Sequence, residues 1–213
     1  MLQIRQLTLG PLQTNCYILG CEETMLCAVI DPAWNGQSIV AAAETDGWTI
    51  SHILLTHSHF DHIGGLEDVK EITGAPVYLH PDAVDMLRGA PMSAAFFGVR
   101  MPSPPLPDDS LFDNQQLQVG NIDLTILLVP GHAPGHVAFY APNYQVLFGG
   151  DVLFQGGIGR TDLPGGDYEL LLQSISQKFL TLPGETRVFP GHGPATTIDE
   201  ERLNNPFISH IEN

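Results

Sequence analysis
The sequence predicts a layered α/β domain in which a unit of strands followed by a helix occurs twice. Two observations carry that expectation. Short apolar runs give way to segments of helical period, and the second half of the chain repeats the rhythm of the first. Glycine and proline, 22 and 17 residues, are spread throughout, which marks many short elements joined by tight turns. No linker-like stretch divides the halves, so residues 1–213 read as one domain. With 43% apolar content, a chain of this size buries roughly 70% of the surface its unfolded form exposes, which excludes disorder as the main state.

The elements follow in order. Ile4–Leu9, Asn15–Leu19 and Met25–Ile30 have the composition of strands. Alanine-rich Ser38–Thr45 reads as a helix, and Ile53–Thr56 as a short buried strand. Ile63, Leu66, Val69 and Ile72 give Ile63–Thr73 helical spacing, with Gly74 as the stop. Pro76–His80 is another strand. Residues 82–110 start as a helix and continue as a Pro-rich loop carrying Met92, Phe96, Phe97, Val99 and Met101. Such a stretch suits a connector, a lid or the contact face of a homodimer. Gln115–Val119 and Ile122–Val129 form a hairpin turning at Gly120-Asn121, and Val137–Tyr140 and Val146–Phe148 follow as strands. Asp167–Leu180 is an amphipathic helix burying Leu170, Leu171, Ser174, Ile175 and Phe179. Arg187–Phe189 is the last strand.

Charge excludes several functions. Eight Lys and Arg against 24 Asp and Glu give −16. Such a chain repels phosphate backbones and anionic bilayers, so neither nucleic acid nor a membrane is expected as a partner. No apolar run approaches the roughly 18 residues that span a bilayer. Met1–Gly10 has one Arg and no long apolar stretch, so no secretory signal is expected and the location expected is cytoplasmic. Cys16, Cys21 and Cys27 lack C-x-x-C spacing; between a metal site and small buried hydrophobes in strands, the apolar runs around Cys16 and Cys27 favour the hydrophobes.

Four apolar runs each end in a residue able to bind a metal. Ile53–Thr56 leads into His57-Ser58-His59-Phe60-Asp61-His62, and Ile126–Pro130 into Gly131-His132. Val146–Gly150 leads into Asp151, and Val188–Pro190 into Gly191-His192. Strand ends at one sheet edge are the usual place for an α/β active site, so five His and two Asp are expected to converge there. From this composition, H-x-H-x-D-H arises by chance about once in a thousand such sequences. Imidazole and carboxylate without thiolate suit zinc first, and iron or manganese as well. Seven ligands are too many for one tetrahedral ion but suit two divalent ions sharing a carboxylate. His57, His59 and His132 would hold the first, Asp61, His62 and His192 the second, with Asp151 between them. Such a pair acidifies the water it holds, with Asp61 and Asp151 as the catalytic carboxylates.

At Thr56–His62, Pro130-Gly131-His132, Gly150-Asp151 and Pro190-Gly191-His192-Gly193 the sequence resembles the metallo-β-lactamase-fold hydrolases. The resemblance covers nearly the whole chain. It implies a four-layer αββα sandwich, two mixed β-sheets flanked by helices, with a dinuclear site at one edge. The run Gly150–Phe154, then Gly159-Arg160-Thr161-Asp162, and the Pro206-Phe207 ending are similar to the short glyoxalase II-like branch. That branch implies hydrolysis of a small-molecule thioester such as an S-acyl-glutathione. Full-length glyoxalase II carries a helical C-terminal domain that helps grip glutathione. Here 21 residues follow His192, so that domain is not expected.

Arg160 is the first candidate to contact the substrate's carboxylates, with Arg88 and Arg100 behind it. A structural pair with Asp162 is the bland alternative. Asp31 suits either orienting a ligand His or an Asp-Pro turn, and His136 a supporting or structural role rather than direct ligation. His52, His80 and His210 stand in no motif, and no base is evident to activate Ser58. The main rival is a persulfide dioxygenase, which shares H-x-H-x-D-H and the Gly159-Arg160-Thr161-Asp162 run but would use one iron on His57, His132 and Asp151; the Pro190-Gly191-His192-Gly193 segment leans toward the hydrolase. A β-lactamase is disfavoured by the absent secretion signal and by Asp61-His62. A non-catalytic metal-binding module is disfavoured because all seven positions are filled.

Overall fold
The computed structural model describes residues 1–208; His210 lies outside the described residues. The first half is β1 (Leu2–Leu9), β2 (Thr14–Cys21), β3 (Leu26–Ile30), α1 (Gly36–Thr45), β4 (Thr49–Leu54), α2 (Leu66–Thr73), β5 (Val77–Leu79), α3 (Val84–Phe96) and β6 (Asp109–Ser110). The second half is β7 (Gln116–Val119), β8 (Ile122–Leu128), β9 (Val137–Ala141), β10 (Val146–Gly150), the small hairpin β11 (Leu153–Phe154) and β12 (Gly157–Ile158), α4 (Tyr168–Ser174), β13 (Arg187–Pro190), β14 (Thr196–Thr197) and α5 (Ile198–Asn204). Among the described residues no helix is long and apolar enough to cross a membrane.

The strands make two six-stranded sheets, ordered β1-β2-β3-β4-β5-β6 and β14-β13-β10-β9-β8-β7. Both are mixed. β3, β4, β5 and β6 run parallel to one another, while β1, β2 and β3 alternate. In the second sheet only β10 and β13 are parallel.

Burial follows from this layering. β2 is buried along its whole length because both its faces are covered. Ile18, Cys16 and Cys27 face α1 and α2 with Ile39, Leu66 and Val69. Tyr17, Leu19 and Ile30 face the other sheet with Ile126, Phe139 and Phe148. The far side of the second sheet packs Leu147 and Val188 on Leu171, Ile175 and Phe179. The result is the expected four-layer αββα sandwich. The three cysteines are free and buried in β2 and β3, and burial pushes the Cys27 thiol up to about 12.

Some expectations are corrected. α2 starts at Leu66 rather than Ile63, because Phe60–His62 forms its own short turn and two glycines follow it. Ile72 is 52% exposed. Two i+3 steps carry it about 120° round the helix from Leu66. Gly74 does end the helix, in the left-handed region. α3 runs past Pro91 to Phe96, although an internal proline removes one backbone hydrogen bond. Asp167 caps α4 by accepting from the Leu170 N–H, and the last turn, Ile175–Phe179, widens into a π-helix. Leu170, in the first turn, is exposed rather than buried.

Phe139 is fully buried between the two sheets. Phe139→Ala is expected to lower the unfolding free energy by about 3–5 kcal/mol in a urea titration. A loss under about 1 kcal/mol would contradict a close-packed layer there.

Candidate metal centre
The site lies where four strands end at one edge of the sandwich. Thr56 follows β4, and its carbonyl accepts the Val137 N–H of β9, which ties the first sheet to the second. His57 to His62 follow at once, and the last three form the short helical turn. His132 stands four residues after β8, Asp151 directly after β10, and His192 two residues after β13.

Two glycines make this crowding feasible. Gly150 has φ +53, and a Cβ there would lie 2.6 Å from the His136 imidazole. A Cβ on Gly191 would strike Asp151 Oδ1. The His192 loop is also clamped from the first sheet. The Asn15 side-chain amide donates to Pro190 O (3.0 Å) and Gly193 O (2.9 Å), and the Tyr17 hydroxyl donates to Pro190 O (2.6 Å).

The seven expected ligands come together. His57 Nε2 and His132 Nε2 lie 3.0 and 2.9 Å from His59 Nδ1. Three imidazole nitrogens so close together could hold one divalent ion among them. Asp61, His62 and His192 form a second group with all ligand atoms within 4.8 Å of one another. His192 Nε2 is 3.2 Å from Asp61 Oδ2. Asp151 stands between the groups. Its Oδ2 is 3.6 Å from His132 Nε2 and 3.5 Å from His192 Nε2, and its Oδ1 is 3.4 Å from His62 Nε2.

Outer partners fix which nitrogen of His57, His62 and His132 faces inward. Asp31 accepts the Thr56 N–H (2.7 Å) and the Thr56 hydroxyl (2.6 Å). The Thr56 oxygen is then left to accept His57 Nδ1–H at 3.0 Å, which turns the Nε2 lone pair into the site. His62 Nδ1–H donates to Asp31 Oδ2 (2.9 Å), and His132 Nδ1–H to the Arg160 carbonyl (2.8 Å). Thr14 donates its hydroxyl to Asp61 Oδ2 (2.8 Å). Asp31 sits near enough to His57 and His62 to be a ligand itself. Its oxygens are already taken by Thr56 and His62, so it orients them. It holds φ +49, a left-handed conformation that Asp tolerates better than most residues.

The donor set fits a divalent cation. His62 Nε2 and Asp151 Oδ1 are buried with no hydrogen-bond partner, while pointing at one another's group. Buried polar atoms of that kind call for an ion or a water. Electrostatics agrees. Burial pushes His57 well below its usual range, and the neighbouring imidazoles add to it. Burial would also depress His62, but Asp151 and Asp61 outweigh it and hold that ring well above its usual value. Burial would raise Asp61, yet His62 and the His192 hydrogen bond keep it at about 2. The first three imidazoles are therefore held neutral, the state in which they ligate, while the carboxylates beside His62 stabilise positive charge.

The other sequence candidates fall as follows. Arg160 lines the cavity over the centre, but its guanidinium forks onto Asp162 at 2.7 and 2.8 Å. Arg88 pairs with Asp85 (3.2 Å), and Arg100 lines a different cleft with Trp34 and Glu67. His136 accepts the Asp151 N–H (3.1 Å) and stacks on His57. The Ser58 hydroxyl donates to Ala83 O (3.0 Å). Thr14, Asn15 and Tyr17 carry no local signal in the sequence, because they act across the fold and no spacing marks them.

This fold and this edge of strand-end ligands define a family. The chain belongs to the metallo-beta-lactamase superfamily, whose profile matches residues 9–192. Among its relatives, the probable metallo-hydrolase YqgX of Bacillus subtilis (strain 168) is 42% identical over 96% of this chain and 97% of its own. Hydroxyacylglutathione hydrolase GloC of Haemophilus influenzae is 37% identical over 92% and 93%. Among solved structures, BLEG-1 B3 metallo-beta-lactamase superposes with a TM-score of 0.91 at 40% identity, over 97% of this chain and 100% of that one. TTHA1623 in a di-iron-bound form gives 0.89 at 44%, over 95% and 99%.

Asp31→Ala frees both His62 Nδ1 and Thr56 from their acceptor. It is expected to weaken metal affinity about 10–100-fold in competition with a chromophoric chelator. Unchanged affinity would show that Asp31 does not orient the ligands.

Proposed function
We propose that the chain is a hydrolase working with two divalent ions and that it cleaves thioesters. One observation carries the reading: the Asp151 carboxylate lies between two groups of three inward-facing ligands. The Haemophilus relative, named a hydroxyacylglutathione hydrolase, supports the thioester class. The di-iron-bound neighbour supports a pair of ions. The net reaction adds water across the acyl–sulfur bond and yields a carboxylate, a thiol and a proton.

His57, His59 and His132 would hold one ion, Asp61, His62 and His192 the other, and Asp151 would reach both. A bound pair supplies Lewis acidity and lowers the pKa of water at neutral pH. The residues of the chain do the rest. Asp31, Thr56 and the Arg160 carbonyl keep three imidazoles in the ligating tautomer. Asp61, held ionised, supplies one negative charge and Asp151 another. Leu12, Phe60 and Phe97 wall the cavity and limit the water that reaches the acyl carbon.

A one-iron dioxygenase would use His57, His132 and Asp151 and shares the H-x-H-x-D-H residues. Asp151 standing between two groups of three ligands supports the two-ion hydrolase. The BLEG-1 likeness makes a β-lactam amide the second acyl substrate to test.

The metal-loaded protein is expected to release thiol from simple thioesters. His59→Ala and His132→Ala should each lower that activity about 100-fold or more. Oxygen uptake with a persulfide, retained in His59→Ala but lost in His132→Ala, would overturn the hydrolase in favour of the dioxygenase. Faster turnover of a β-lactam than of any thioester would overturn the substrate class.

A further inference from the structure
Resting on the thioesterase reading, we infer that the acyl group this site takes is an apolar hydrocarbon chain, and that the substrate is not selected through carboxylates. Two independent features of the cavity lead there. The first is its wall. The cavity over the metal ligands has a volume of 420 Å³, and Leu12, Phe60, Phe97, Phe154, Ile158 and Leu163 line it. Aromatic rings continue from the centre to the surface. Phe60 lies between His59 and Asp61 in the chain, its ring centroid is 5.3 Å from that of Phe97, and Phe97 is 5.7 Å from Phe96. Phe97 and Leu12 are each 46% exposed and Phe96 is 88% exposed. Large apolar groups left in water around a pocket that opens on a reactive centre are what a hydrocarbon ligand covers.

The second feature is charge. Among the described residues Arg160 is the only Lys or Arg lining the cavity, and its Nε and Nη2 donate to the two oxygens of Asp162. The pair is neutral as a unit. Asp162 holds the Nε–Nη2 edge, so a substrate carboxylate meets a guanidinium whose charge is already offset. The chain's −16 charge adds long-range repulsion. A glutathione thioester brings two carboxylates to such a site. An acyl chain brings none and gains from every methylene buried along Phe60 and Phe97.

The test uses the full metal-loaded chain and a series of N-acetylcysteamine thioesters, whose thiol is uncharged, from acetyl to octanoyl, beside S-lactoylglutathione. Specificity, kcat/KM, is expected to rise about fourfold per methylene over the first several, and the octanoyl ester should outpace S-lactoylglutathione. Phe97→Ala should cut the octanoyl-to-acetyl ratio about tenfold. A flat or falling chain-length series, or preference for S-lactoylglutathione, overturns the inference while leaving the thioesterase reading intact. If no thioester is cleaved, the reading itself fails. The pocket is then judged by calorimetry with non-hydrolysable S-alkyl thioethers of N-acetylcysteamine. Affinity that rises with alkyl length and falls in Phe97→Ala upholds an apolar chain site, and affinity independent of length overturns it.

Discussion
One buried carboxylate organises this molecule. Asp151 is almost wholly enclosed, with imidazoles of both ligand groups around it. An isolated charge so placed would be costly. Here His62, His132 and His192 offset it and hold its pKa far below the usual range against the effect of burial. The surrounding fold keeps those imidazoles in reach. Gly150 and Gly191 let the β10 and β13 ends approach without a Cβ between them. The backbone of Arg160 and the carboxylate of Asp31 turn the rings inward.

The layers explain why the site sits where it does. Each sheet buries one face on the other and one on helices, so no face is left to carry a polar centre. The polar ligands are left to the strand ends, where loops can satisfy them. The two sheets meet there through few but specific bonds. Val137 donates to Thr56 O, Asn15 N–H to Gly191 O, and the Asn15 and Tyr17 side chains to Pro190 O. Disturbing the inter-sheet core is therefore felt at the centre as well as in stability.

Much of this was legible in the sequence because its signals are local. H-x-H-x-D-H packs four metal-binding residues into six positions, and each remaining ligand directly follows a short apolar run. The hairpin at Gly120-Asn121 and the helix stop at Gly74 are equally local, and both occur. What was not legible depends on distance along the chain. Asn15 serves a carbonyl 175 residues away, and Thr14 serves Asp61 across 47. Asp31 could be suspected from its place after a strand, but its grip on Thr56 and His62 depends on β3 pairing with β4. Ile72 and Leu170 show the limit of apolar periodicity. Each fits a helical pattern, yet the neighbouring layer does not reach far enough round the helix to cover it.

The central claim is that Asp151 joins two metal sites rather than completing one. The most direct measurement is metal content per chain by elemental analysis, on untagged protein purified without chelator, for the wild type and for Asp151→Asn. The account predicts about two ions per chain in the wild type, whatever the element, and loss from both sites together in the variant. One ion per wild-type chain, with iron alone present, would contradict it.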